Sequence, residues 1–306
     1  MSLRVPGYEW NPVNSGRTGE KPRKGQYPAR MVLHTTEGLR LYDYPYPPAF
    51  SIALVGDPYS LEPGRYWKPD GQGSTVPVTF ETGDKVKLQH CELDMTSYAL
   101  LHRPGDDETN HMGEVCVQTE IITAARYGAV WTDEFIDFVA EHVADVMRAL
   151  GTIDITIDWH EGPPFVGWAE GAGFDAPSRM TWDEWQNFGG LTSHQSVPGN
   201  DHWDIGPVDR TRLVEAIDRH MFPDIPAPLP WPGLIEKGDT DPIVRVLRAD
   251  LYRLGYAGWR YLLSRRYTGG MVNQVKKLQA DHGLVADGMV GPKTRELLAT
   301  LISDSM

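Results

Sequence analysis

His194 and Asp204 stand ten residues apart across the Pro198-Gly199 loop, with a second histidine, His202, between them. Neutral imidazole and carboxylate are ligands that a zinc ion accepts, and a loop of this length can fold both onto one ion. A catalytic zinc keeps three protein ligands and one open position, so a third ligand must come from elsewhere. His34 is the best placed, because it ends the apolar run Met31-Val32-Leu33 where an ordered element meets a loop. The spacing alone leaves a second reading open: a loop histidine near a surface carboxylate.

Glu120 adds a possible base. From Val115 to Ile121 the chain alternates, with Val115, Val117, Thr119 and Ile121 on one face and Cys116, Gln118 and Glu120 on the other. A carboxylate ending an otherwise apolar strand is costly to bury unless it is paired or functional. Beside a metal and its water it would act as general base and then hand the proton to a leaving amine. The competing reading pairs Glu120 with Arg126. Among the other histidines, His160 in Asp158-Trp159-His160-Glu161 competes as a metal ligand but lacks a partner at useful spacing. His142 follows Phe138 and Val139 by four and three residues, and is expected to edge the packed face of its helix. His111, His220 and His282 are expected at the surface or at helix ends. His90 and His102, in a stretch of weak signals, could line a groove.

The elements that must hold these groups read as mixed α/β. Ala29 to His34 and Ser51 to Leu54 are short apolar strands, and Val115 to Ile121 is a third. Thr132 caps a helix whose apolar residues Phe135, Phe138, Val139, Val143, Val146, Met147 and Leu150 recur at helical spacing up to Gly151. Further helices are expected over Thr181 to Phe188 and Arg210 to His220. Between residues 55 and 114 the many Gly, Pro and Asp predict long loops. The proline-rich stretch 222–233 reads as a stiff spacer. It divides a catalytic domain over 1–221 from a tail over 234–306. The tail reads as a small three-helix domain, with stripes at Val244, Leu247, Leu251 and Leu254, then Met271, Val272, Val275 and Leu278, then Leu297, Leu298 and Leu301. Its first helix is expected to start at Asp241-Pro242, and Asp287-Gly288 to turn.

A net charge of −13 argues against nucleic acid as a partner and against adhesion to anionic membranes. The ten Trp and thirteen Tyr serve packing or sugar stacking. Two cysteines, Cys91 and Cys116, make no disulfide framework and read as buried free thiols, with a single bridge as the alternative. Residues 1–10 lack the apolar core of a secretory signal, and no run approaches the roughly 20 apolar residues needed to span a bilayer. Synthesis in the cytoplasm without a signal peptide is therefore expected.

Taken together, the segments resemble the zinc-dependent N-acetylmuramoyl-L-alanine amidases of the type 2 amidase and peptidoglycan-recognition fold, widespread in phage endolysins. The matching pieces are Met31-Val32-Leu33-His34-Thr35-Thr36-Glu37, the strand around Glu120, the flank Glu108-Thr109-Asn110, and His194 through Gly206. The resemblance implies a mixed central β-sheet flanked by helices. It also implies Zn2+ held by His34, His194 and Asp204, with Glu120 as the base. Two departures stand out. The family often places Lys or Thr two residues before the last ligand to stabilise an oxyanion; here that residue is His202, a donor that can also carry charge. A family Tyr or His on the strand after the first ligand is replaced by Phe50-Ser51, and its role stays unassigned.

The tail resembles the helical type 1 peptidoglycan-binding domain. The matching pieces are Lys237-Gly238-Asp239, Leu254-Gly255-Tyr256, His282-Gly283-Leu284 and Asp287 to Thr294. The two resemblances imply a monomeric endolysin that acts on bacterial peptidoglycan of the cell wall. It would hydrolyse the amide between N-acetylmuramic acid and L-alanine without membrane insertion. The alternatives are a non-catalytic peptidoglycan receptor or anchor, and a zinc peptidase cutting within the stem peptide.

Overall fold

Six buried residues in a row, Arg30–Thr35, form strand β2. The computed structural model describes residues 4–12, 30–38, 41, 48–69, 74–93, 95, 97, 99–100, 116–150, 172–188, 190–221, 233–240, 243–256 and 266–305. His102, His111, His160, the Glu108-Thr109-Asn110 flank, most of the proline-rich spacer and the Asp241-Pro242 helix start lie outside the described residues. The chain divides into two units, Met1–Met221 and Phe222–Met306.

The first unit is mixed α/β. Its strands are β1 (Glu9–Trp10), β2, β3 (Phe50–Leu54), β4 (Gly64–Pro69), β5 (Thr75–Phe80), β6 (Lys85–Gln89), β7 (Cys116–Ile121) and β8 (Gly190–Ser193). Six of them make one sheet in the order β1-β6-β3-β7-β2-β8. β3, β7, β2 and β8 run parallel, while β6 is antiparallel to β3 and parallel to β1. β4 and β5 form a separate antiparallel pair.

Helices cover both faces of the sheet. Helix α1 (Asp133–Ala149) starts at Thr132, whose hydroxyl accepts from the Phe135 N–H, and Asp133 and Glu134 suit the positive end of its dipole. It packs against α3 (Arg210–Met221) and against the face that carries Phe50 and Thr119. On the opposite face Val32 and Cys116 pack with Trp185 of α2 (Trp182–Asn187). That short helix begins with a capping box, Thr181 and Glu184 each bonding the other's backbone N–H.

The stretch expected as long loops contains β4, β5 and β6. The signal of β6 is masked by charge. Val86 and Leu88 point into a core with Leu41, Ala53 and Leu61, while Lys85 and Lys87 point the other way. There they pair with Glu141 and Asp145 of α1, so lysines occupy positions that would otherwise be apolar. Both cysteines are buried and free.

The second unit has three described helices, α4 (Ile243–Arg253), α5 (Gly269–Asp281) and α6 (Pro292–Ser305). Their core contains Val244, Leu247, Leu251, Met271, Val275, Leu278 and Leu298 from the expected stripes, plus Ile235 and Val290, which form a short bridge. Gly288 has φ +76°, and a Cβ there would meet Val272 Cγ1 at 2.7 Å, so the turn after α5 accepts only glycine. No helix among the described residues is long and apolar enough to cross a membrane.

Candidate metal centre

The register of the sheet lines the chemistry up in a single row. His34 of β2 is directly opposite Glu120 of β7, and Glu120 is opposite Ser51 of β3. Leu33 pairs with Ser193 of β8, which brings the next residue, His194, level with His34. Neighbours in register point to the same face of a sheet. β2, β7 and β8 thus bring His34, Glu120 and His194 together at their C-terminal ends, level with Ser51 near the start of β3.

The chain after β8 then doubles back to add Asp204. His194–Ser196 is a 3-10 turn, and the Gln195 N–H donates to the Asp204 carbonyl (2.9 Å). Arg179 clamps the loop: its guanidinium donates to the carbonyls of Gly173 (3.2 Å), His194 (3.1 Å) and His202 (2.5 Å). Gly206 closes the loop with φ +78°, and a Cβ there would lie 2.0 Å from the Ala125 carbonyl oxygen. No other residue fits at that position.

His34 Nδ1 lies 3.0 Å from His194 Nδ1 and 3.8 Å from Asp204 Oδ2, and His194 Nδ1 lies 3.3 Å from Asp204 Oδ1. All three side chains are buried, and one ligand atom from each falls within 4.8 Å of the others. Two ligands about 2.0–2.1 Å from a tetrahedral zinc are about 3.3–3.4 Å apart, so the three separations bracket that edge. The donor set, two imidazoles and one carboxylate, is one that zinc takes in catalytic sites. The charge states also suit a metal. Burial and the facing His194 hold the His34 imidazole well below its ordinary pKa, hence neutral. Burial alone would raise the Asp204 carboxyl, but the imidazoles of His194, His202 and His34 around it keep it well below the usual range, hence ionised. Ligands must be in these deprotonated forms to bind.

Glu120 is partly buried, with Oε2 shut off from solvent and unpaired among the described residues. Its pKa is raised to about 8, first by burial and then by the charge of Asp204. The pairing with Arg126 is not made. Arg126 is exposed, donates to the Tyr127 hydroxyl (3.2 Å) and lies over the Tyr127 ring. His202 sits at the rim with its side chain 57% exposed, stacked on His194 (centroids 4.7 Å apart, planes at 15°) with Nδ1 3.5 Å from Asp204 Oδ1. Its pKa is raised, chiefly by that contact with Asp204.

The remaining described histidines fall elsewhere. His90 is buried rather than groove-lining: Ser51 Oγ is 2.7 Å from its Nε2, and the Asn11 carbonyl is 2.9 Å from its Nδ1. Since that carbonyl can only accept, Nδ1 carries the proton and Ser51 donates to Nε2. Of the Phe50-Ser51 pair, Ser51 alone is in the site row, and its proton is committed to His90. His142 does not edge its helix but is fully enclosed, 0% exposed, between Tyr8 and Thr119. His220 lies 3.1 Å from Asp137, and His282 caps the C-terminus of α5.

Three residues that spacing did not single out complete the site. The Thr35 N–H donates to Asp204 Oδ2 (3.1 Å), Arg179 clamps the loop, and Asn200 Oδ1 lies 2.8 Å from His194 Nε2. A faint signal for the first is its place directly after His34. Thr35 also donates through Oγ1 to Glu37 (2.7 Å), which lines a cleft of about 330 Å³ with Asp57, Tyr59, Glu62, Arg126 and Tyr127.

A model of the peptidoglycan binding domain family matches residues 240–298. No curated protein and no solved structure matches the chain. Residues 240–298 therefore form a peptidoglycan-binding domain, which fits a protein that acts at the bacterial cell wall.

Proposed function

We propose that the chain is a zinc-dependent N-acetylmuramoyl-L-alanine amidase of the phage endolysin type. Its substrate would be the amide between the lactyl group of N-acetylmuramic acid and the first L-alanine of the stem peptide. What carries this reading is the convergence of His34, His194 and Asp204 beside Glu120, in one chain with a peptidoglycan-binding domain. Held by the two histidines and the aspartate, zinc would supply a Lewis acid that polarises a carbonyl and acidifies water. Glu120, with a pKa near neutrality, takes the proton of the attacking water and returns it to the leaving alanine nitrogen. His202, at the rim and biased toward its protonated form, donates to the oxygen that becomes negative in the tetrahedral state. The C-terminal domain keeps the catalytic unit on the polymer and raises its local substrate concentration.

The test is to incubate the protein with purified cell wall, with and without a chelator, and to count new reducing ends and new amino termini. The expected result is L-alanine amino termini without reducing ends, stopped by chelation and restored by zinc. New reducing ends would mean a glycosidase. Amino termini of other residues would mean a stem peptidase, and wall binding with no cut would mean a receptor.

A further inference from the structure

We propose that Asn200 is a positioning residue that fixes the tautomer of His194, keeping the proton on Nε2 so that Nδ1 is offered bare to the metal. The inference rests on the metal-site reading above and adds a residue to it.

It follows from a count of protons. Asn200 Nδ2 is 3.0 Å from the Pro198 carbonyl oxygen. That oxygen has no proton, so the Asn200 atom facing it is the NH2 group, and the orientation of the amide is settled. The other end of the amide, Oδ1, then faces His194 Nε2 at 2.8 Å. Oδ1 cannot donate, so Nε2 must. A neutral imidazole has a single N–H, which leaves a lone pair on Nδ1. This is the nitrogen that faces His34 Nδ1 at 3.0 Å and Asp204 at 3.3 Å. Both side chains are buried, Asn200 at 0% and His194 at 4% exposure, so water does not compete for either bond. A partner on the far nitrogen of a metal-binding histidine sets its tautomer and ring orientation, and its loss commonly weakens metal affinity by about 10–100-fold. The two histidines are therefore inequivalent. His194 is preset by Asn200, whereas His34 Nε2 has no partner among the described residues. In the metal-free protein His34 must supply the proton of the 3.0 Å contact.

The test uses the full-length chain with metal removed, histidine labelled with 15N, and long-range 1H–15N correlation to read each ring; His194 is assigned by its absence in His194→Asn. Zinc affinity is measured by competition with a chromogenic chelator. His194 is expected as the Nε2–H tautomer. Asn200→Leu, nearly the same size, is expected to lose that preference and to bind zinc about 10–100-fold more weakly. Asn200→Asp keeps an acceptor for Nε2 but, like the leucine variant, loses the bond to Pro198, and is expected to keep both the tautomer and zinc affinity. A residue that merely braces the loop would weaken zinc equally in both variants, and that result overturns the proposal. So does an Nδ1–H tautomer in the unmodified protein, or unchanged affinity in the leucine variant. If circular dichroism shows the leucine variant unfolded, the tautomer of the unmodified protein and the aspartate variant decide. Failure of the unmodified protein to take up zinc would sink the metal reading, while the tautomer measurement still reports separately on Asn200.

Discussion

Consecutive residues of β7 face two buried histidine environments built on opposite plans. Thr119 points to the α1 side, where His142 has a partner on each ring nitrogen: the Tyr8 hydroxyl on Nδ1 (2.8 Å) and the Thr119 hydroxyl on Nε2 (2.9 Å). Glu120 points to the other side, where His34 Nδ1 meets another Nδ1 and its Nε2 has no partner among the described residues. Burying a polar atom without a partner costs stability, and structural sites avoid it. A cluster that tolerates such atoms is built for something other than folding. Two histidines at the same depth are thus told apart by whether their nitrogens are satisfied.

Removing each histidine should have opposite consequences. His34→Ala is expected to abolish stoichiometric zinc uptake and wall hydrolysis while leaving the metal-free protein within about 1 kcal/mol of its original stability. His142→Ala removes the ring that bridges the Tyr8 and Thr119 hydroxyls and leaves a cavity between them, and should lower the unfolding free energy by about 3 kcal/mol or more. Zinc at a thousand times its Kd should stabilise the unmodified chain by about 4 kcal/mol and the His34 variant not at all. Denaturant titration with and without zinc measures all of these. Equal destabilisation of the two metal-free variants would show that His34 is a structural histidine like His142.

Next in size is the base. Glu120→Gln keeps the shape of the side chain but removes its capacity to take a proton. It should retain zinc and lose about 10²–10⁴-fold in kcat on cell wall. Full turnover with bound zinc would remove Glu120 from the chemistry.

The two plans were unequally legible in the sequence. His34, Glu120, His194 and Asp204 could be found because each sits at a strand end or a spaced loop position, where residue type alone signals chemistry. The cap at Thr132 was readable because it depends on a neighbour three residues away, whereas Thr181, expected inside its helix, proved to be the cap. The Tyr8–His142–Thr119 network was not, since its members are 134 and 23 residues apart and meet only when α1 docks on the sheet. β6 was hidden for a related reason: Lys85 and Lys87 are matched by Glu141 and Asp145 of that same helix. Asn200 and Arg179 are polar residues in loop surroundings, and only the placement of their donors and acceptors shows what they hold.

Acid should act on the satisfied histidines. Burial depresses His142 to about 3 and His90 to about 4, whereas an unfolded imidazole titrates near 6.5. Between those values the unfolded chain binds the extra protons, so stability is full above about pH 6.5 and falls as pH drops toward the folded values. Each histidine contributes a slope of at most about 1.4 kcal/mol per pH unit. Denaturant midpoints of the metal-free protein between pH 8 and pH 5 measure the sum, to which His34 adds in the same direction. A flat profile would mean that water reaches these rings in solution.

The smallest effect is expected at His202, whose half-exposed ring touches Asp204 and stacks on His194. If its function is to present a cationic donor, a lysine at the same backbone position carries the same charge to the same rim. His202→Lys should then keep wall hydrolysis within about tenfold, or about 1.4 kcal/mol in the barrier. The lysine stays charged well above the histidine range, so the variant should also hold its activity to higher pH than the unmodified protein. The alternative role is steric: the 15° stack would keep the His194 ring aimed at the metal, which a flexible alkyl chain cannot do. Zinc affinity separates the two, because loss of the stack weakens metal binding, whereas loss of a donor to the developing oxyanion lowers kcat with zinc affinity intact.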